Sequence, residues 1–316
     1  MLKPYSLQIS LIVVIFLSSS STFFFLNSSL KYRLILDGCL EVRSAEFGNF
    51  VVHGIASDDP SDLGQADLVL FAVKTYDLDQ AAQVAKHVLT PHASLLTFQN
   101  GLDAPDQVAA VVGKEHVLIG TTALETTMLE PGVISHLSKF HFVTVAALDG
   151  PPTSSVENAA EALRGAGAKV TVALDGRRTL WEKAWALIPM ATITAVCRAP
   201  IGEIRDLPES RALIETLLDE VSAVARACGY DLPEARQRAH NMMMEVAPPG
   251  MKASMARDFE RGGRTELEAL TGALVRLADA RGVNVPATRT AYAILKLRQQ
   301  VEAGAQTPLG IAAAGR

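Results

Sequence analysis

Cysteine is scarce in this 316-residue chain: Cys39, Cys197 and Cys228 are far apart and odd in number. They offer neither a disulfide framework nor zinc-ligand spacing, and a reducing cytoplasm is the simpler setting. The seven histidines (His53, His87, His92, His116, His136, His141 and His240) also lack metal-ligand spacing, so no metal is expected. No basic run occurs and the net charge is -5, which argues against nucleic acid as a partner. A Gly-x-Ser-x-Gly elbow and a phosphate-binding Gly-Lys-Ser/Thr loop are both absent, as is any internal repeat. What remains is an ordinary globular composition, 49% hydrophobic and 20% charged, with room for two domains.

The first thirty residues depart from that picture. Leu7 to Leu17 is apolar and β-branched, and a serine run leads into Phe23-Phe24-Phe25-Leu26. One lysine precedes an apolar core of signal-peptide length, but no small-x-small cleavage site follows. Read together, Leu7 to Leu26 just reaches the roughly 20 residues of a membrane span. A signal or anchor at residues 7–26 is thus one reading. A misassigned or out-of-frame start is the other and the preferred one, with a cytoplasmic protein behind it.

From about Leu30 the pattern is regular. Asp67 to Val73, Ala93 to Phe98 and Val117 to Thr121 are short apolar runs suited to strands buried on both faces. Asp77 and Asp103 stand where helix caps are needed between them. Strand and helix alternate at spacings that predict right-handed crossovers and a parallel sheet. Pro131-Gly132 predicts hairpins at the sheet edge, Ser154-x-x-Glu157 a capping box, and Lys169 to Leu174 a last strand. After Arg177 the chain reads as helical. Leu213, Leu217, Val221, Val224 and Cys228 form one stripe, closed by Gly229. Leu267, Leu270, Leu274, Leu277 and Ala278 form a second, closed by Gly282, and Ala291, Ile294, Leu295 and Val301 a third. The expected organisation is an atypical segment at 1–29, an incomplete Rossmann-like α/β domain at 30–175, an all-α domain at 176–303 and a flexible tail at 304–316.

Several residues could carry chemistry, each with a plainer alternative. Lys183 precedes Ala184 to Cys197, which is apolar on nearly every face and reads as a buried helix. It is either a lysine whose stem packs while its head reaches water, or a proton donor tuned by burial. Lys74 follows the strand ending at Val73, and Asn100-Gly101 follows the strand ending at Phe98. Ligands bind at such carboxyl ends, although a solvated loop lysine and a plain turn also fit. Ser254 could be a helix cap, and Thr265-Glu266 the acidic first turn of a helix. Met242-Met243-Met244 reads as gap-filling core.

Taken in order, Val73-Lys74-Thr75-Tyr76, Gln99-Asn100-Gly101, Ile119-Gly120-Thr121-Thr122, Trp181-Glu182-Lys183, Ser254-Met255-x-x-Asp258 and Thr265-Glu266-Leu267 resemble the ketopantoate reductase family, the 2-dehydropantoate 2-reductases. The likeness covers roughly residues 30 to 303, in order and in register. It implies NADP(H) as cofactor, a 2-oxo acid substrate, a cleft between two domains and a homodimer through the helical half. By the same resemblance Lys183 donates the proton to the keto oxygen, and Glu266 holds the cofactor ribose and orients Lys183. Lys74 and Thr126 lie beside the cofactor, Asn100 between cofactor and substrate, and Ser254 on the substrate carboxylate.

The chain departs from the family in two places. The opening strand and its Gly-x-Gly-x-x-Gly turn are missing from residues 1–29. Lys31 and Arg33 are out of register for the basic residue expected at the NADP 2′-phosphate. Loss of a central strand is expected to expose its neighbours and weaken cofactor binding. In the pocket, three positions where the family carries asparagine are Leu187, Ala191 and Ile201. Three hydrogen-bonding positions thereby become apolar, so the expected substrate is ketopantoate or a less polar 2-oxo acid.

Overall fold

The computed structural model describes residues 13–17, 20–26, 39–53, 55–57, 59–62, 64–130, 132–138 and 142–306. The chain divides into two compact units within one helix, between Lys183 and Ala184. Lys31, Arg33, Pro131, His141 and the chain after Gln306 lie outside the described residues, as does part of the 7–26 segment.

Among its described residues the first unit contains twelve strands: β1 (Val13–Leu17), β2 (Ser20–Leu26), β3 (Cys39–Ser44), β4 (Gly48–His53), β5 (Ile55–Ser57), β6 (Ala66–Phe71), β7 (Leu89–Thr97), β8 (Val117–Ala123), β9 (Thr126–Glu130), β10 (Val133–His136), β11 (Phe142–Ala147) and β12 (Lys169–Val172). Its helices are α1 (Leu78–Val88), α2 (Ala104–Val112) and α3 (Ser154–Gly165), followed by the start of α4 (Gly176–Cys197). The main sheet runs β12-β11-β8-β7-β6-β1-β2-β5. Its heart, β6-β7-β8, is parallel, as the alternation of strands and helices predicts. Ala66, Leu68, Val69 and Phe71 of β6 are all buried, which is why that strand is a continuous apolar run. On α3, Val156, Ala159 and Leu163 close over Leu68, Leu96, Leu118 and Val145. Full burial of a Val or Leu side chain stabilises by about 1.5–3 kcal/mol, so this face is a main source of the unit's stability.

Three expectations need correction. The positions of the first and second strands are filled, by β1 and β2, and β6 is not left open on that side. However, β1 is antiparallel to both neighbours, with Val13 opposite Phe71 and Phe16 opposite Leu68. Only residues 18 and 19 separate β1 from β2, so the pair is a hairpin. Second, β9 and β10 are not at the edge of the main sheet. They join β3 and β4 in a separate sheet ordered β4-β3-β10-β9. Third, Ser154 is not the cap of α3: Thr153 occupies that position in extended backbone, and Ser154 is the first helical residue.

The small sheet is tied internally by His136. Ser44 Oγ accepts the N–H groups of Glu46 and Phe47, so its own proton is directed to His136 Nδ1, 3.0 Å away. His136 Nε2 then carries the hydrogen and donates to Ser138 Oγ at 3.0 Å. Phe47 stacks on the ring with centroids 5.7 Å apart. This histidine is structural, and no cluster of three or more His, Cys, Asp or Glu suited to a metal occurs among the described residues.

The second unit comprises the rest of α4 with α5 (Ile201–Asp206), α6 (Pro208–Ala227), α7 (Pro233–Asn241), α8 (Ser254–Glu260), α9 (Ala273–Arg281) and α10 (Pro286–Gln306). Along α4, Ile188 to Ala195 is buried throughout, as its all-round apolarity predicts. Leu217, Val221 and Val224 of α6 are buried, and Gly282 ends α9 at φ +65, where a side chain would be strained. The third stripe divides on α10. Ala291 and Leu295 face the core, but Ile294 and Val301 face water together with Leu297. Helix α10 also continues through Gly304 to Gln306, past the expected start of the tail. No helix among the described residues is long and apolar enough to cross a membrane.

Candidate active site

In the α/β unit the candidate residues gather along one sheet edge. Strands β6, β7 and β8 are adjacent and parallel, so their carboxyl ends point the same way. Lys74, Asn100 and Thr126 each follow one of those ends by three residues. Lys74 and Asn100 are half-buried, whereas Thr126 is exposed and opens β9. Gly101, at φ +131, makes the turn after Asn100 in a region that L side chains rarely adopt.

Gln99, part of the Gln99-Asn100-Gly101 string but without a role assigned from sequence, holds two of these loops together. Its buried Nε2 donates to the carbonyls of Phe71 (2.8 Å) and Val73 (3.3 Å), beside Lys74. Phe98 N–H reaches the same Phe71 carbonyl at 2.9 Å. The Gln99 Oε1 is buried with no hydrogen-bond partner among the described residues. An unsatisfied acceptor costs about 1–3 kcal/mol, opposed by the two carbonyls that the amide satisfies. A long polar residue directly after a buried strand was the only available signal. Close packing continues on β8, where a Cβ on Gly120 would meet the Thr97 carbonyl oxygen at 2.8 Å and the Phe98 ring at 2.7 Å.

The start of α4 is seated on the α/β unit. A Cβ on Gly176 would lie 2.4 Å from the Ala147 carbonyl oxygen, so only glycine permits this approach. Arg177 donates to both carboxylate oxygens of Asp106 and, at 3.3 Å, to Asp149, and these pairings hold its guanidinium charged. Lys183 follows two turns into the helix and is half-buried. At successive i+4 steps along its face come Leu187, half-buried, and Ala191, fully buried.

In the helical unit, side-chain and backbone bonds bring the remaining candidates to α4. Thr192 and Thr271 share a hydroxyl hydrogen bond of 2.8 Å, which fastens the π-helical turn Glu268–Gly272 to α4. Glu266, two residues before that turn, is buried. Ile201, also buried, donates its N–H to Met251 O, and Gly202 donates to Pro249 O, both at 2.9 Å. Ala253 N–H reaches Thr194 Oγ at 3.4 Å. These contacts place Ser254, exposed at the first position of α8, next to the segment paired with Ile201.

The π-helical turn is braced from α9 and α10. Glu268 accepts from Tyr292 Oη at 3.0 Å, from Lys296 Nζ and from Arg276 at 3.3 Å. Burial pushes the Glu268 carboxyl up, but the bonds from Lys296 and Tyr292 and the charges of Lys296 and Arg276 hold it below its ordinary value. A carboxyl depressed in the fold contributes stability above its unfolded pKa and loses it as pH falls through the folded value. Glu268→Gln is therefore expected to cost under about 1 kcal/mol at pH 7, because the group is half-exposed. That cost should vanish between about pH 5 and pH 3. Urea unfolding of both proteins across this range checks it; a difference independent of pH would refute the assignment.

The fold family implies a dinucleotide cofactor, whose pyrophosphate is held by backbone N–H groups where a strand turns through glycines into a helix. The two residues between β1 and β2 leave no room for a helix. Because β1 is inverted, its amino end lies beside the carboxyl end of β6, where such a helix would begin. Among the described residues, β1 and β2 do not fit the phosphate end of the cofactor.

Comparison with known proteins bears on the rest. The family profile described as "Ketopantoate reductase PanE/ApbA" matches residues 11–150, and its counterpart "Ketopantoate reductase PanE/ApbA C terminal" matches residues 175–299. A 2-dehydropantoate 2-reductase of Halobacterium salinarum is 32% identical over 251 residues, covering 79% of this chain and 82% of its own. The crystal structure of a PanE/ApbA family ketopantoate reductase from Ralstonia eutropha superimposes with a TM-score of 0.78 at 30% identity, covering 86% of this chain and 88% of that one. A D-mandelate dehydrogenase solved with NADH and anilino(oxo)acetate shares the fold, with a TM-score of 0.80 at 16% identity over 89% and 91% of the two chains. With both halves matched in order, and a relative above 30% identity across most of its length, this chain belongs to the ketopantoate reductase family.

Proposed function

We propose that this chain is a 2-oxo acid reductase of the pantothenate-pathway type, working with NADP(H) and releasing the 2-hydroxy acid. The observation that carries the reading is Lys183, two turns into α4, with the apolar positions Leu187 and Ala191 on its face. The kinship to 2-dehydropantoate 2-reductases supports it. A reduced nicotinamide, when bound, supplies the hydride in this class of reaction. Lys183 gives its proton to the keto oxygen, and its ammonium charge offsets the charge growing on that oxygen. Ser254 donates its hydroxyl hydrogen to the substrate carboxylate. Glu266 holds a ribose hydroxyl, while Lys74, Asn100 and Thr126 border the cofactor.

The apolar residues Leu187, Ala191 and Ile201, at positions where the family carries asparagine, favour a 2-oxo acid without ketopantoate's hydroxyl. A pocket built to bond a hydroxyl rejects the analogue lacking it by large factors, whereas an apolar one discriminates little. Turnover of ketopantoate and of unhydroxylated branched 2-oxo acids tests this. Values of kcat/KM within about tenfold of each other support the apolar pocket. A preference for ketopantoate well beyond that defeats it.

A second reading is favoured by the β1–β2 hairpin: a chain impaired in cofactor binding that acts at most as a binding or dimerisation module. The exposed Ile294, Leu297 and Val301 on α10 support self-association of the helical half. A folded chain that sediments as a dimer yet reduces no 2-oxo acid with NADPH would favour this reading over the first.

A further inference from the structure

The cofactor site of this chain is unequal at its two ends. The phosphate end depended on β1, and β1 is inverted and joined to β2 through two residues. No helix N-terminus is available between them to collect backbone N–H groups on a pyrophosphate. The other end does not depend on β1 for its internal bonds. The Lys74 loop and the Asn100 loop are joined by Gln99, whose amide binds the carbonyls of Phe71 and Val73, and by the Phe98–Phe71 backbone bond. Gly101 turns the chain after Asn100 at φ +131, and Gly120, in the middle of β8, lets that strand pack closely on the Thr97 carbonyl and the Phe98 ring.

We infer that this chain retains the nicotinamide end of the cofactor site and has lost the phosphate end, so that a nicotinamide mononucleotide is as good a ligand as the dinucleotide. The inference rests on the reductase reading only in assigning the Lys74–Asn100 edge to nicotinamide. It carries two corollaries. The adenylate half contributes no affinity of its own, and NADPH and NADH therefore bind alike.

Calorimetric titration of the full-length chain with reduced nicotinamide mononucleotide, NADPH, NADH and adenosine 2′,5′-bisphosphate tests this directly. The expected result is that the three reduced nicotinamides bind with dissociation constants within about tenfold, and that the bisphosphate gives no heat. Asn100→Ala should weaken all three alike. Two or three charge-assisted hydrogen bonds to a pyrophosphate correspond to roughly 100-fold or more in affinity. NADPH more than tenfold tighter than the mononucleotide, or measurable binding of the bisphosphate, overturns the inference. So does a folded chain that binds no reduced nicotinamide at all. Ligand-observed NMR with a 2-oxo acid reports separately on the reductase reading. Absence of 2-oxo acid binding beside a ratio near one removes the substrate and leaves the cofactor inference standing. Its presence beside a ratio above ten does the reverse.

Discussion

Lys183→Ala is expected to lower kcat for 2-oxo acid reduction by about a thousandfold or more, while substrate KM changes only a few-fold. Positioned proton transfer contributes about 10²–10⁴ in rate, and the lost ammonium also removes electrostatic stabilisation of the forming alkoxide. The loss therefore belongs mainly to the transition state, which is why kcat and kcat/KM should fall together. Lys183→Arg separates the two contributions. Its charge is permanent, so it keeps part of the electrostatic effect but releases no proton near neutral pH. An intermediate rate is expected from it. The helix should survive both changes, because alanine and arginine are good helix formers and Lys183 is only half-buried. Steady-state kinetics on variants with unchanged circular dichroism decide the matter. A fall in kcat of less than tenfold in Lys183→Ala would show that the proton comes from elsewhere.

Glu220→Ala should produce the largest loss of stability in the helical unit, about 3 kcal/mol or more. Glu220 lies on α6 and is buried, yet its carboxylate is fully engaged at the start of α10. Oε1 accepts from Ala287 N–H at 2.8 Å, and Oε2 from Thr288 N–H at 2.7 Å and Thr288 Oγ at 2.6 Å. It supplies a cap to a helix whose first turn begins with Pro286 and has no acidic residue of its own. The positive end of the α10 dipole adds to that attraction. Removing the carboxylate leaves the buried N–H and hydroxyl of Thr288 and the half-buried N–H of Ala287 without their acceptor, the buried ones costing about 1 kcal/mol or more each. Glu220→Gln keeps the shape but has one amide oxygen for three donors, so it should recover only part of the loss. Denaturant midpoints of the three proteins measure this. Wild-type stability in Glu220→Ala would mean that water replaces the carboxylate at no cost.

The order of elements from Asp67 onward was legible because buried parallel strands and amphipathic helices impose distinct local patterns. The run Asp67 to Val73 became β6, and Asp77 and Asp103 stand at the N-caps of α1 and α2. Two elements misled for a shared reason. Thr126 to His136 reads as a hairpin wherever it pairs, and its assignment to β3 rather than to the main sheet is a long-range choice. Likewise Ala291, Ile294, Leu295 and Val301 form one stripe on paper. Which side of α10 meets α6 and α9 divided them.

The sequence by itself determined the family, the candidate residues Lys74, Asn100, Lys183, Ser254 and Glu266, and the apolar substitutions at Leu187, Ala191 and Ile201, because side-chain chemistry is written residue by residue. It also showed that a glycine turn is missing. Only the tertiary structure decided what stands in its place: a hairpin whose first strand runs against β6 and brings its amino end beside the carboxyl end of that strand. Strand direction is set by pairing between segments more than fifty residues apart, such as Val13 and Phe71, and no local pattern encodes it. The same holds for Gln99 and Glu220, whose importance comes from the distant carbonyls and helix end that they satisfy.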